Sequence, residues 1–325
     1  MHRREFAKLI AGVGVAAAWP TMVVAQQSAK VWRIGFLAHR YETFYDPLFR
    51  GLEELGYKEG RNLIVERRYA EGHAERFQEF ANELVRLNVD LIVVVTTPAG
   101  QAAKKATSTI PIVHPAAIDP VGTGLVASLA HPGGNLTGLS VLNAEMSAKR
   151  LEVLKEVVPG LTRAALLWNS ANPANSLARK ESENAARALG VTLSSQEVRE
   201  PKDFEHAFEA MTQNPPEVLL VLQDALTLEY RKEIITFTLK NRLPSMFVGK
   251  EWVTEGGLMS YGDRLPERYR RAADLVDRIL KGEKPADLPI EQPTRFELVI
   301  NLRTAQAINL KISPVLLARA DEVIE

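Results

Sequence analysis

Residues 90–140 read DLIVVVTTPAGQAAKKATSTIPIVHPAAIDPVGTGLVASLAHPGGNLTGLS. Leu91 to Val95 are five consecutive apolar residues, a length and β-branched content that suit a strand buried on both faces of a parallel sheet. The run stops at Thr96-Thr97-Pro98. A Thr ahead of a Pro, followed by Ala99, Gly100, Gln101 and Ala102, predicts an N-cap and then a helix whose first N–H groups are free. Such a helix start, at the carboxyl edge of a sheet, attracts anions, although every strand-to-helix turn carries caps of this kind.

The same plan is written twice. Residues 218–249, VLLVLQDALTLEYRKEIITFTLKNRLPSMFVG, again give an apolar strand, a polar turn at Gln223-Asp224, an amphipathic helix and a second short strand, as Ile110-Pro111-Ile112-Val113 does in the first copy. The correspondence extends backwards. Residues 32–72 run strand, polar loop, helix ending at Gly56, strand, and residues 162–200 repeat that order with a helix ending at Gly190. Two successive βαβαβ halves predict an α/β fold of two doubly wound, Rossmann-like lobes joined by a hinge, with ligand sites beyond the carboxyl ends of the strands. Lobes that face one another place those ends in a shared cleft.

The chain begins with Met1-His2-Arg3-Arg4, a positive segment, followed by an apolar, small-residue stretch from Leu9 to Trp19 and a small-residue cleavage site at Val23-Val24-Ala25. This reads as a signal peptide over residues 1–25, of either the twin-arginine or the plain Sec type. The apolar stretch falls short of the ~20 residues that a spanning helix needs, and no later segment approaches that length. A soluble, exported protein is expected.

The 325 residues are 46% hydrophobic, with 40 basic and 40 acidic side chains. Zero formal net charge argues against a general nucleic-acid binder, whose affinity rests on a basic surface. With no cysteine, disulfides, thiolate metal sites, thiol nucleophiles and a lipidated cysteine anchor are all excluded. That combination fits a protein free in the periplasm, with an extracellular one as the alternative.

Catalytic signals are sparse. The six histidines, His2, His39, His73, His114, His131 and His206, show no metal-ligand spacing. Gly122-Thr123-Gly124-Leu125-Val126-Ala127 matches the dinucleotide pattern GxGxxA but follows Asp119-Pro120-Val121 instead of a strand. There is no GxSxG elbow and no GxxxxGK[ST] loop. Ser140 and Ser260 stand alone, as capping or ligand-bonding groups. Neither a cofactor nor a metal is expected, and the protein is read as a binder and not as an enzyme.

Long collinear blocks carry a family likeness: GLEELGYKEGRNLIVERRYAEG at 51–72, ATSTIPIV at 106–113, DPVGTGLVASLAHPGGNLTGLS at 119–140, KRLEVLKEVVPG at 149–160, GGLMSYG at 256–262, the run from Arg270 to Ala305, and the ending LLARADEVIE. They cover nearly all of the chain after residue 25. The sequence resembles the periplasmic substrate-binding proteins of ABC transporters, and most closely the branch related to the tryptophan/tyrosine-type binding proteins. The resemblance implies a periplasmic binding protein type I-like clamshell. It closes on a small solute, such as an aromatic or other hydrophobic amino acid, and presents it to an inner-membrane permease with its ATPase. A monomer is expected.

A free amino acid needs donors for its carboxylate and an acceptor for its ammonium. Thr96, Thr97 and the helix start after them are the candidate donors, while Asp119 and Asp224, which follow strand-like segments, are the candidate acceptors. Asp119-Pro120 is also an ordinary turn former. Asn169 and Gln223 end strands beside these groups, and Phe36, Tyr41, Phe44 and Trp168 are candidate walls, although large aromatics commonly fill cores.

Turn formers at His131–Gly138 and the glycines within Thr254–Gly262 mark the expected crossings between lobes. Lobe 1 is then 26–138 plus about 258–285, and lobe 2 is 139–257 plus about 286–325. A sensor feeding a membrane receptor shares every one of these features, and an α/β enzyme whose catalytic residues meet only on folding is the third class. Neighbouring permease and ATPase genes favour transport, and a neighbouring sensor kinase favours signalling.

Overall fold

The computed structural model describes residues 30–325, so the signal peptide expected at residues 1–25 lies outside the described residues. The first half runs β1 (Trp32–Ala38), α1 (Asp46–Glu54), β2 (Leu63–Tyr69), α2 (Arg76–Arg86), β3 (Leu91–Val94), α3 (Thr97–Ala106), β4 (Ile112–Ile118) and β5 (Leu136–Val141). Its five strands form one parallel sheet in the order β2-β1-β3-β4-β5. In β3 the alternation of the strand sends Leu91 and Val93 to a core shared with α1, and Ile92 and Val94 to a core shared with α2 and α3. All four are fully buried, each contributing about 1.5–3 kcal/mol. This is why an unbroken apolar run, and not an alternating one, marks the strand.

The second half continues with α4 (Asn143–Val157), β6 (Arg163–Asn169), α5 (Pro173–Ala188), β7 (Thr192–Val198), α6 (Asp203–Gln213), β8 (Val218–Val221), α7 (Ala225–Glu229), α8 (Arg231–Lys240), β9 (Ser245–Phe247), α9 (Lys250–Thr254) and β10 (Met259–Asp263). Then come α10 (Leu265–Leu280), β11 (Phe296–Asn301), α11 (Leu302–Ala307), α12 (Pro314–Arg319) and β12 (Glu322–Ile324). The second sheet has the order β12-β11-β10-β9-β8-β6-β7, parallel except where β11 meets β10. Its central strands divide their side chains in the same way, Leu166 and Leu220 to one core and Leu167 and Val221 to the other. The fold is therefore two doubly wound α/β lobes.

Helix α10 follows β10 but packs on the first sheet. Its buried Ala272, Ala273, Leu275 and Val276 join the core of Ile34 and Phe36. Gly51 on α1 admits it closely, since a Cβ there would lie 2.8 Å from the Ala273 Cβ. The sequence reading placed residues from about 258 with the first lobe. That boundary moves, because β10 pairs with β9 and, over Met259 to Asp263, with β11, so the chain leaves the second sheet at Arg264. After α10 the chain returns past β5, where Glu291 N–H donates to Gly138 O (3.0 Å) and Ser140 N–H donates to Glu291 O (2.8 Å). The last passage to β11 thus runs beside the first one out of β5.

Candidate functional site

A cavity lies between the carboxyl ends of the two sheets, where doubly wound lobes hold their ligands. The first lobe contributes Val95, Thr96 and Thr97 from the β3–α3 turn, and Val141 at the end of β5. From the second come Asn172 after β6, Gln223 and Asp224 after β8, and Val248 after β9. Phe44, Ile118, Leu228 and Leu265 give it largely apolar walls, and Phe44 packs against core residues of both lobes.

Three polar side chains of this cavity, Thr97, His39 and Arg268, carry buried atoms without hydrogen-bond partners. Thr96 caps α3, its hydroxyl accepting from Ala99 N–H at 3.3 Å. The helix begins at Thr97, one residue earlier than the Thr-Pro signal suggests, so the Thr97 hydroxyl is no cap: it is buried and has no hydrogen-bond partner. His39 meets the Tyr45 hydroxyl through Nδ1 at 3.1 Å, while its buried Nε2 has no hydrogen-bond partner and lies 3.9 Å from Glu42. Arg268, on the first turn of α10, is 5% exposed and pairs with Asp263, yet its Nε and Nη1 find no acceptor. Burial pushes its guanidinium down to about 10. Buried donors in this state cost free energy until an acceptor arrives.

Two carboxylates line the same space. Asp224 caps α7, accepting from Thr227 N–H (3.0 Å) on Oδ1, and its Oδ2 takes the amides of Asn169 (2.6 Å) and Asn172 (3.4 Å). Burial raises its pKa against those lowering bonds. Asp263 ends β10 and, among the described residues, its carboxylate has Arg268 as its one partner.

At the rim the lobes are tied by charge. Glu42, after β1, accepts from Arg231 Nη1 of α8 at 2.8 Å, and Arg40 Nη1 reaches Glu229 of α7 at 3.0 Å. Arg231 also holds Glu255 at 2.6 Å. Burial alone would raise the Glu42 carboxyl, but the neighbouring His39 and the bonds from Arg231 and Arg40 outweigh it and bring it down to about 2.

A family model described as ABC transporter substrate binding protein matches residues 38–324. The chain belongs to the ABC transporter substrate-binding proteins. It is 27% identical over 263 residues to the "Tyrosine-binding protein" of Clostridioides difficile (strain R20291), covering 81% of this chain and 75% of that one. A conserved domain protein of Vibrio cholerae superposes with a TM-score of 0.86 at 28% identity, over 90% of this chain and 100% of that chain. The ABC domain in complex with L-Trp from Streptococcus pneumonia gives 0.84 at 26% identity, over 91% and 100%. The likeness to the tryptophan/tyrosine-type branch read from the sequence blocks agrees with these relatives.

Within this substrate-binding protein the structure brings together Thr96, Thr97, Gln223, Asp224 and Phe44 of the sequence candidates. Five others lie elsewhere. Asp119 sits at φ 39° and holds its own turn by accepting from Gly122 N–H at 2.8 Å, away from the cavity lining. Phe36 is core, its ring packed edge-on against Tyr45 and Tyr69 and tilted against Phe49. Trp168 is buried in the second lobe and donates to Ser195 Oγ at 2.7 Å. Tyr41 is 55% exposed and bonds Asp46. Asn169 stands behind Asp224 and supports it. The sequence reading missed His39, Asp263 and Arg268. Arg268 carried a legible signal: it shares the buried stripe of α10 with Ala272, Leu275 and Ile279, and a charge on such a stripe needs a partner. Among the described residues no cluster of His, Asp or Glu suits a metal ion.

Proposed function

We propose that this protein is the extracytoplasmic solute-binding component of an ABC importer, which holds an aromatic or other hydrophobic amino acid between its lobes and delivers it to an inner-membrane permease with its ATPase. The observation that carries this reading is the interlobe cavity itself, lined by residues of both lobes and apolar in its walls, with buried polar atoms of Thr97, His39 and Arg268 that lack hydrogen-bond partners. A pocket of that make-up is how small-molecule sites are built. A tyrosine-binding relative and a relative solved with L-Trp support the ligand class. Opening turns about the passages after Val141 and at Arg264, where the chain changes sheet; both lie beyond the Gly138 and Thr254 crossings read from sequence. A ligand that touches both lobes stabilises the closed arrangement by its differential affinity for it. Native mass spectrometry of gently purified protein tests the reading. A co-purifying small solute is expected, and protein that carries none and binds none of a broad solute panel would sink it.

A further inference from the structure

We infer that the Asp263–Arg268 pair is the element that reads the head group of an α-amino acid, the carboxylate resting on the free edge of the Arg268 guanidinium and the ammonium on Asp263. This rests on the cavity being the ligand site. It moves both head-group contacts away from the positions the sequence suggested, since Asp119 is outside the cavity and Asp224 already serves three N–H donors that shape α7 and its neighbours.

The geometry leads there by elimination and by charge. Of the carboxylates lining the cavity, Asp263 is the one whose oxygens are not engaged in holding a helix or turn. A carboxylate offers about four acceptor sites, so a single arginine leaves room for an ammonium. Arg268 is the one guanidinium lining the cavity among the described residues, and its Nε and Nη1 are buried without an acceptor. A guanidinium presents parallel N–H groups that match a carboxylate. The unpartnered Thr97 hydroxyl lines the same cavity and can add a further donor.

An ion pair that lines a ligand cavity selects for its mirror image. A zwitterion laid against Asp263 and Arg268 completes an alternating set of four charges, so each buried charge gains a partner and the cavity gains no net charge. An acid without an amine competes with Asp263 for Arg268 and brings an uncompensated negative charge. An amine without a carboxylate competes with Arg268 for Asp263. Both analogues are disfavoured for reasons that do not involve the apolar side chain. The two residues also belong to different lobes, Asp263 to the second sheet and Arg268 to the helix packed on the first, so the ligand's two head groups span the passage at Arg264.

The test is calorimetry with the twenty L-amino acids, then with the amine-free acid and the carboxyl-free amine matching the tightest binder. For L-tryptophan these are indole-3-propionate and tryptamine. Each analogue is expected to bind about ten- to a hundredfold more weakly than the amino acid. Arg268→Gln and Asp263→Asn should each weaken the amino acid by a similar factor, and Asp263→Asn should not weaken the amine-free acid. The analogue series on unaltered protein stands even if a variant fails to fold. An amine-free acid that binds as tightly as the amino acid overturns the inference, as does full affinity in Arg268→Gln. If no amino acid binds but native mass spectrometry finds another solute, this inference falls while solute binding stands. If neither finds a ligand, both fall.

Discussion

Arg231 and Glu42 meet at 2.8 Å from opposite lobes, both nearly buried at the rim of the cavity. Glu42 keeps Arg40 at 2.7 Å when Arg231 is lost, so the pair acts on closure more than on either fold. Arg231→Met is expected to raise the radius of gyration of the unliganded protein in small-angle scattering and to lower stability by about 2 kcal/mol. A scattering curve identical to that of the unaltered protein would show that the pair does not hold the lobes together.

The acid side of the stability profile follows from the same carboxylate. The Glu42 pKa is depressed from 4.5 to about 2, so the stability it contributes is fully present above pH 4.5 and is lost as pH falls through about 2. Allowing for solvent screening at the rim, the loss is about 2 kcal/mol. Glu251 acts with the opposite sign. Burial raises it from 4.5 to about 7, so its contribution is full below pH 4.5 and is lost as pH rises through about 7. Urea midpoints measured across this range are expected to flatten on the acid side in Glu42→Gln and on the neutral side in Glu251→Gln.

Asp224→Ala removes the cap of α7 and strands the Asn169 and Asn172 amides. A loss of about 1–2 kcal/mol is expected in chemical denaturation. An unchanged midpoint would mean that the Asp224 cap contributes nothing to this fold.

Thr97→Val should separate binding from stability. Its buried hydroxyl bonds nothing in this structure, so the fold is expected to be as stable or slightly more so. The bound amino acid should lose about 1 kcal/mol by calorimetry. Equal affinity in the two proteins would remove Thr97 from the ligand's donors.

Gly138 lies in β5 at φ 154°, and a Cβ there would run into the His114 carbonyl of β4. Gly138→Ala is expected to cost about 1–3 kcal/mol by forcing the two strands apart beside the hinge passage. A thermal midpoint equal to that of the parent protein would contradict this close approach.

The lobes were legible because their signals are local. Leu91 to Val95 could be read as a doubly buried strand, and Gly56 and Gly190 as helix ends. The site was legible only where a turn carried it, as at Thr96-Thr97 and Gln223-Asp224. Asp263 was not, because what defines it is a junction between sheets that no window of sequence contains, and Arg268 showed only as a charge on the buried stripe of α10. The strand at 259–263 was assigned to the wrong sheet for the same reason: its short apolar pattern fits either lobe, and the pairing with β11 decides. Phe36 and Trp168 were misplaced because an aromatic near a strand end faces core or cleft according to a parity that residue type does not encode.

The return of α10 to the first sheet sets an order on synthesis. Until residues 265–280 exist, the faces of Ile34, Phe36 and Val93 that α10 covers stay bare, and until residues 296–324 exist the second sheet lacks two of its strands. A nascent chain of some 260 residues therefore completes neither lobe. Truncation before Leu280 removes both folding units together instead of trimming one, and a ribosome-bound chain shows a chaperone a long apolar surface until its last fifth emerges.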